Sequence, residues 1–236
     1  MPRNRNASHL VSIVVPTLNE ALALPECLAS IRAQDGPFDS IVVDADSQDR
    51  TREIAAASGA RVLQTRRGRA FQMNHGANET AGEILLFLHA DSRLPAGALA
   101  CVREAVVGGA VAGAFRLRLD RNGLKWRAGE VLANVYAHAT RDLFGDRAIF
   151  VTRSVFEQLG GFRPLALMED LDFSTRLKRG GFPVRLLRLA VTTSCRRFDS
   201  VGIWRAGWWA WKLCSAFHQS RACDARAARF YLDVRR

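Results

Sequence analysis

The chain has no CxxC pair, no charge-free apolar run long enough to cross a bilayer, no GxGxxG after its first apolar segment and no GxxxxGK[ST] loop. Each absence removes a class of protein. The five cysteines (Cys27, Cys101, Cys195, Cys214 and Cys223) are odd in number and show no paired spacing. That pattern speaks against a disulfide framework and for reduced, mostly buried thiols on the cytosolic side. Without an apolar run of about 18 residues an ordinary spanning helix is not expected. The polar stretch 1–9 lacks the apolar core of a signal peptide, which argues against export by that route. The missing glycine fingerprints exclude the dinucleotide-binding and phosphate-loop ways of holding a nucleotide.

Acidic side chains are scarce in the last quarter. Residues 173–236 hold 14 basic and 3 acidic side chains, whereas residues 1–172 hold 20 of each, so the whole net charge of +11 is carboxyl-terminal. A patch of this kind suits anionic lipid, nucleic acid or a phosphorylated substrate, or is only a solvated face; charge alone does not choose. With 236 residues, 48% of them hydrophobic, the chain supports one large domain more easily than two.

Apolar runs at 10–16, 40–44, 60–64 and 83–88 read as buried strands, and amphipathic stretches at 21–32, 70–80 and 97–107 read as the helices between them. A strand at 112–119 follows. This alternation predicts an α/β sheet covered on both faces. Beyond Asp120 the order loosens: a helix at 124–138, a loop through Gly145, a strand at 147–151, a helix at 168–179, and two extended segments at 183–187 and 190–195. The break suggests one domain spanning 1–200, with a first half (about 10–110) and a lobe for a second substrate (about 111–200), followed by a basic extension at 201–236. Residues 202–217 of that extension contain four of the five tryptophans. They form a helix that either lies on a membrane surface or is buried against the domain.

Open α/β sheets bind ligands beyond the carboxyl ends of their strands. Those ends here carry Asn19 and Glu20, then Asp44 and Asp46, then Asp91. Carboxylates accept hydrogen bonds from a base or ribose, and a diphosphate calls for a divalent cation. Each aspartate alone also suits a turn or a helix cap. The recurrence after three successive strands favours a nucleotide site.

In order along the chain stand Val11-Ser12-Ile13-Val14-Val15-Pro16-Thr17-Leu18-Asn19-Glu20, Val43-Asp44-Ala45-Asp46-Ser47-Gln48-Asp49-Arg50-Thr51, His89-Ala90-Asp91-Ser92 and Met168-Glu169-Asp170-Leu171-Asp172. This ordered set, covering roughly residues 10–180, resembles the family-2 inverting glycosyltransferases. The segment Arg69-Ala70-Phe71-Gln72-Met73-Asn74 resembles a bacterial subgroup associated with arsenosugar biosynthesis. The resemblance implies a nucleotide-diphospho-sugar transferase (GT-A type) fold, with a mixed, mostly parallel sheet flanked by helices. It implies transfer of a sugar, a hexose by expectation, from a UDP- or GDP-sugar to a hydroxyl acceptor that could be lipid-linked. Pro16, Thr17, Asn19, Glu20, Asp44, Asp46, Arg69, Asn74 and Asp91 would then form the donor site. His89 and Asp91 stand at the metal motif, where Mn2+ or Mg2+ is expected; the usual first acid is replaced by His89, an imidazole that either ligates metal or is held in the core. Asp170 is implied as the base, with Glu169 orienting the acceptor, Asp146 and Arg147 on the acceptor side, and Arg196 and Arg197 facing the leaving group.

Glu169, Asp170 and Asp172 equally suit the first turn of a helix, where acids meet the dipole favourably. A nucleotidyltransferase, or a non-enzymatic module binding membrane or nucleic acid, are the rival readings. The first wants a glycine-rich loop that is missing, and the second leaves the ordered acids unused. The resulting expectation is a cytoplasmic enzyme, peripheral on the inner membrane face, with no nucleic-acid partner.

Overall fold

The computed structural model describes residues 9–196 and 202–220. Four strands form a parallel half-sheet: β1 (Val11–Thr17), β2 (Phe38–Asp44), β3 (Arg61–Gln64) and β4 (Ile84–Phe87). Every residue of β1 and β4 is buried, as expected of strands covered on both faces. Their alternation divides the core in two: Val11, Ile13, Val15, Ile84 and Leu86 face one layer, while Val14, Leu85 and Phe87 face the other.

The first layer is covered by α1 (Leu24–Arg32), α2 (Thr51–Ala57) and α4 (Ala98–Val107), and the second by α3 (Arg69–Asn78), α6 (Arg153–Gln158) and α7 (Glu169–Arg179). The remaining strands are β5 (Ser92–Arg93), β6 (Ala112–Leu119), β7 (Ile149–Thr152) and β8 (Val184–Thr193), giving the sheet order β3-β2-β1-β4-β7-β6-β8-β5. β7 runs antiparallel to both β4 and β6, and β6 pairs parallel with β8. The mixed, mostly parallel sheet and its helices match the expected fold class.

Several elements differ from the sequence pattern. β8 is one strand where two were expected, because pairing with β6 carries it through the polar interruption at Arg188, with a register shift between Ala114 and Arg116. Arg147 lies in a 3-10 turn (Gly145–Arg147) with Asp146, not at the start of the strand, and left-handed Ala148 separates that turn from β7. β5 and α6 have no counterpart in the pattern; at two and six residues they are too short to show periodicity.

Helix α5 (Leu124–Thr140) and helix α8 (Ile203–Ser220) cross off the sheet. A Cβ on Gly129 would stand 2.5 Å from Ile203 Cδ1, so the Ile203 side chain packs directly over this glycine. Leu213, Cys214 and Phe217 of α8 pack on Leu167, Met168 and Leu171 at the start of α7, and His218 Nε2 reaches Asp142 Oδ2 at 3.0 Å. The opposite side of α8 leaves Trp204, Trp208 and Trp211 about half exposed. α8 thus buries one face against the domain and exposes tryptophans on the other.

Candidate active site

Hydrogen bonds lock together the loops that follow β1 and β2. Asp44, at the end of β2, has no exposed surface; its carboxylate accepts from Thr17 Oγ1 at 3.1 Å, Ser47 N at 2.9 Å and Ser47 Oγ at 2.5 Å. Asn19 and Asp46 both take left-handed backbone, which short polar side chains tolerate. Asn19 N donates to Ser47 Oγ and its Oδ1 accepts from Gln48 N, each at 2.8 Å. Glu20 N donates to Thr51 Oγ1 at 2.8 Å, and Ala21 N to Asp49 Oδ2 at 3.1 Å. From α3, the buried Gln72 donates to Thr17 O at 2.8 Å and Val43 O at 2.9 Å, tying the two strand ends from behind. The sequence pattern left Gln72, Ser47 and Thr51 without a role.

Within this frame the residues of the expected donor site separate by orientation. Asp46 and Asn19 are exposed, Glu20 is half-buried and Asp44 points inward. Asn74 is turned away from the strand ends: its amide donates to Phe162 O at 2.8 Å and accepts from Phe162 N at 2.9 Å, pinning the turn after α6. Arg69, at the start of α3, pairs with Glu169 at 2.6 Å; Glu169 is only 2% exposed. Arg196 pairs with Glu20 at 2.5 Å. Arg197 lies outside the described residues.

Asp91 follows β4 and lines a small charged cleft with Glu26, Arg93, Asp120 and Arg196. Burial first, then Asp91 and then Glu20, push the buried Cys27 thiol well above its ordinary range, which places both carboxylates within electrostatic reach of one core position. Among the described residues no group of three or more His, Cys, Asp or Glu could hold a metal unaided. A cation shared with a diphosphate needs only one or two protein carboxylates, and Asp91 in a cleft beside Arg196 fits that requirement. His89 lies elsewhere: it is 7% exposed, and a Cβ on Gly145 would stand 2.6 Å from its Nε2 and 3.3 Å from Asp170 Oδ2. Its ring therefore flanks the 3-10 turn alongside Asp170, and it lines the neighbouring cavity in which Asp91 takes no part.

Asp170 sits in the first turn of α7, after the left-handed Met168. Gly145 N donates to its Oδ2 at 2.7 Å and Leu171 N to its Oδ1 at 2.8 Å, which fixes the carboxylate without covering it. Asp172, the third acid of this turn, is committed to Arg176 at 2.7 Å. Asp146 lines the cavity with Asp170. Arg147 is 3% exposed and bonds neutral partners, Asn134 Oδ1 at 2.7 Å and Ala133 O at 2.8 Å. Burial lowers its pKa, partly countered by Asp146. Arg147 thus braces α5 against the turn that presents Gly145. The cavity it borders, about 670 Å³, runs between β6, α5 and α8 and ends at Arg69, His89, Asp146 and Asp170.

The glycosyl transferase family 2 model matches residues 12–163, more than half of the chain, and that span contains the locked loops after β1 and β2 together with Asp91. The chain belongs to this family. Its fold is of the GT-A-like α/β type. An uncharacterized protein of Mycobacterium tuberculosis, MT1568, is 30% identical over 199 residues, spanning 72% of this chain and 62% of that protein. The 4,4'-diaponeurosporenoate glycosyltransferase of Staphylococcus haemolyticus is 35% identical over 100 residues, 39% of this chain and 27% of that one. The chain therefore spans less than two thirds of these relatives. In fold it is similar to a mannosyltransferase of Pyrobaculum calidifontis solved with GDP-Man and Mn2+, with a TM-score of 0.68, 24% identity, and coverage of 89% of this chain and 61% of that one. No helix among the described residues is long and apolar enough to cross a membrane.

Proposed function

We propose that this enzyme is an inverting transferase that moves a hexose from a UDP- or GDP-sugar to an acceptor hydroxyl, with Asp170 as general base. One observation carries the reading: Asp170 is held by two backbone N–H groups at the inner end of a large cavity, while the adjacent Glu169 is tied to Arg69 on the donor side. The base therefore stands at the junction of two sites, where acceptor oxygen and anomeric carbon must meet.

In this mechanism Asp170 takes the acceptor proton as the oxygen attacks the anomeric carbon, and the bond to the diphosphate breaks on the opposite face, inverting the centre. Asn19, Glu20 and Asp46 line the nucleotide pocket, while the buried Pro16, Thr17 and Asp44 shape it from behind, Asp44 by holding Thr17 and Ser47. Arg196 exchanges Glu20 for the diphosphate; Arg197 is assigned to the same task. Arg69 fixes Glu169, which orients the acceptor, and Asp146 meets acceptor hydroxyls while Arg147 and Asn74 support the frame.

Mn2+ or Mg2+, when bound, offsets diphosphate charge. Asp91 is the residue that would hold it; His89, beside Asp170, would serve the acceptor side. The segment Arg69–Asn74 is the only basis for placing the enzyme nearer the arsenosugar-associated subgroup. The basic, tryptophan-bearing α8 supports a peripheral position on the cytoplasmic face of the membrane.

Titration calorimetry and donor-hydrolysis assays with a panel of UDP- and GDP-sugars plus manganese test this reading. Binding of at least one donor, dependent on the cation, is expected. A folded protein that binds none would overturn it.

A further inference from the structure

The acceptor side is apolar to an extent that a water-soluble acceptor does not explain. The cavity between α5 and α8 is walled by Leu117, Leu119, Leu132, Ile203 and the tryptophans of α8, and its charged groups are confined to the inner end. Its size, about 670 Å³, is that of a small-molecule site. Sealing a sugar or carboxylate acceptor against these walls would strip hydroxyls of water without replacing their hydrogen bonds.

The lips of the cavity are apolar as well. Leu132, Val135, Trp204, Trp208 and Trp211 all line the cavity and are also exposed, at 48–61%. On α5 the apolar surface continues outward through Val131 and Leu124. Contiguous apolar surface of this kind marks an interaction site. Basic groups border it: Lys212 Nζ lies 4.2 Å from the Trp208 ring, and the exposed Arg205 is on the same helix.

From these features we infer that the cavity receives the apolar chain of an amphiphilic lipid acceptor. The chain enters sideways from a membrane surface through the seam between α5 and α8 and delivers its hydroxyl head to Asp170. This rests on the transferase reading for the role of Asp170, but the chain-binding site stands apart from it. An open seam explains why the lips carry leucine, valine and tryptophan where an entrance from water would be polar. Gly207 of α8 lines the cavity too, and a Cβ there would meet nothing within 4 Å, so a larger side chain at this position has room to enter the space.

The test uses the full chain in detergent-free buffer and the quenching of intrinsic tryptophan fluorescence by bromoundecanol and by bromopropanol. Trp204, Trp208, Trp209 and Trp211 line the cavity and report directly on a bromine placed inside it. Saturable quenching by the long alcohol is expected, at a half-saturation at least about a hundredfold below that of the short one, since each buried methylene adds to binding. Gly207→Phe should raise the long-chain value by roughly tenfold by filling the path, with the circular dichroism spectrum and melting temperature retained. Should that variant not fold, Leu132→Glu on the exposed lip is expected to act in the same direction. Quenching that is unsaturable, equal for both alcohols or unchanged in the folded variant would overturn the site. Donor binding is measured in parallel on the same protein. Chain binding without donor binding would sink the transferase reading and leave the cavity assignment standing, whereas donor binding without chain binding would sink only the latter.

Discussion

The two sides of this active site are built by opposite means. On the donor side, loops after successive strands are cross-linked by short polar side chains, with Asp44, Ser47, Asn19 and Gln72 as the nodes. On the proposed acceptor side Asn134 and Glu130 of α5 bond the backbone of β6 and Arg147 bonds Asn134, but the space itself is enclosed by apolar side chains of two helices about 80 residues apart in sequence. Rigid polar loops suit a donor whose base, ribose and diphosphate present fixed hydrogen-bonding groups, and an apolar cavity suits a ligand known chiefly by its size and greasiness. Asp170 hangs from the turn at Gly145 and lines the apolar cavity, where the proposed mechanism brings the two ligands together.

Substitutions can break this contrast. The largest effect is expected from Arg69→Ala, which removes the cation paired with the buried Glu169 carboxylate and should cost about 3–5 kcal/mol of stability; urea unfolding would measure it, and a loss below about 1 kcal/mol would show that the pair is not a joint between the two sides. Gly145→Ala should lower kcat about a hundredfold while leaving donor affinity intact, because the new methyl group would press on His89 and Asp170; steady-state kinetics with donor titration separates the two quantities. Replacing Trp204, Trp208 and Trp211 together by alanine should weaken vesicle binding roughly tenfold without altering donor binding, and flotation on anionic liposomes reports it. The smallest effect concerns Cys214, whose thiol is pushed up to about 12 by burial first and then by Asp170 and Asp142; iodoacetamide should leave it unmodified at neutral pH, and rapid labelling in the folded protein would contradict the packing of α8.

The parallel half-sheet could be read from the sequence because its information is local. Strands buried on both faces appear as unbroken apolar runs, and the residues at their ends stand next to them in the chain. Asn74 shows the limit, since its partner Phe162 is 88 residues away and no spacing rule links them. Arg147 is similar: an arginine after an aspartate suggests substrate contact, yet burial commits it to Asn134 and Ala133. His89 and Asp91, adjacent in a short motif, border different spaces because the chain turns between them and places one in each. The acceptor cavity was illegible for a deeper reason. Its walls are ordinary apolar side chains from β6, α5 and α8, far apart in the chain, with Ile203 packed over Gly129 where the two helices meet. No motif records such a meeting; only the fold brings it about.

The most direct measurement of the central claim is single-turnover transfer by Asp170→Asn with donor prebound. Loss of the base should slow transfer by about 10²–10⁴-fold, while the donor dissociation constant stays within about twofold of the unaltered enzyme. Transfer at the full rate would show that another group takes the proton, and a donor affinity that collapses together with the rate would show that Asp170 holds the donor instead of activating the acceptor.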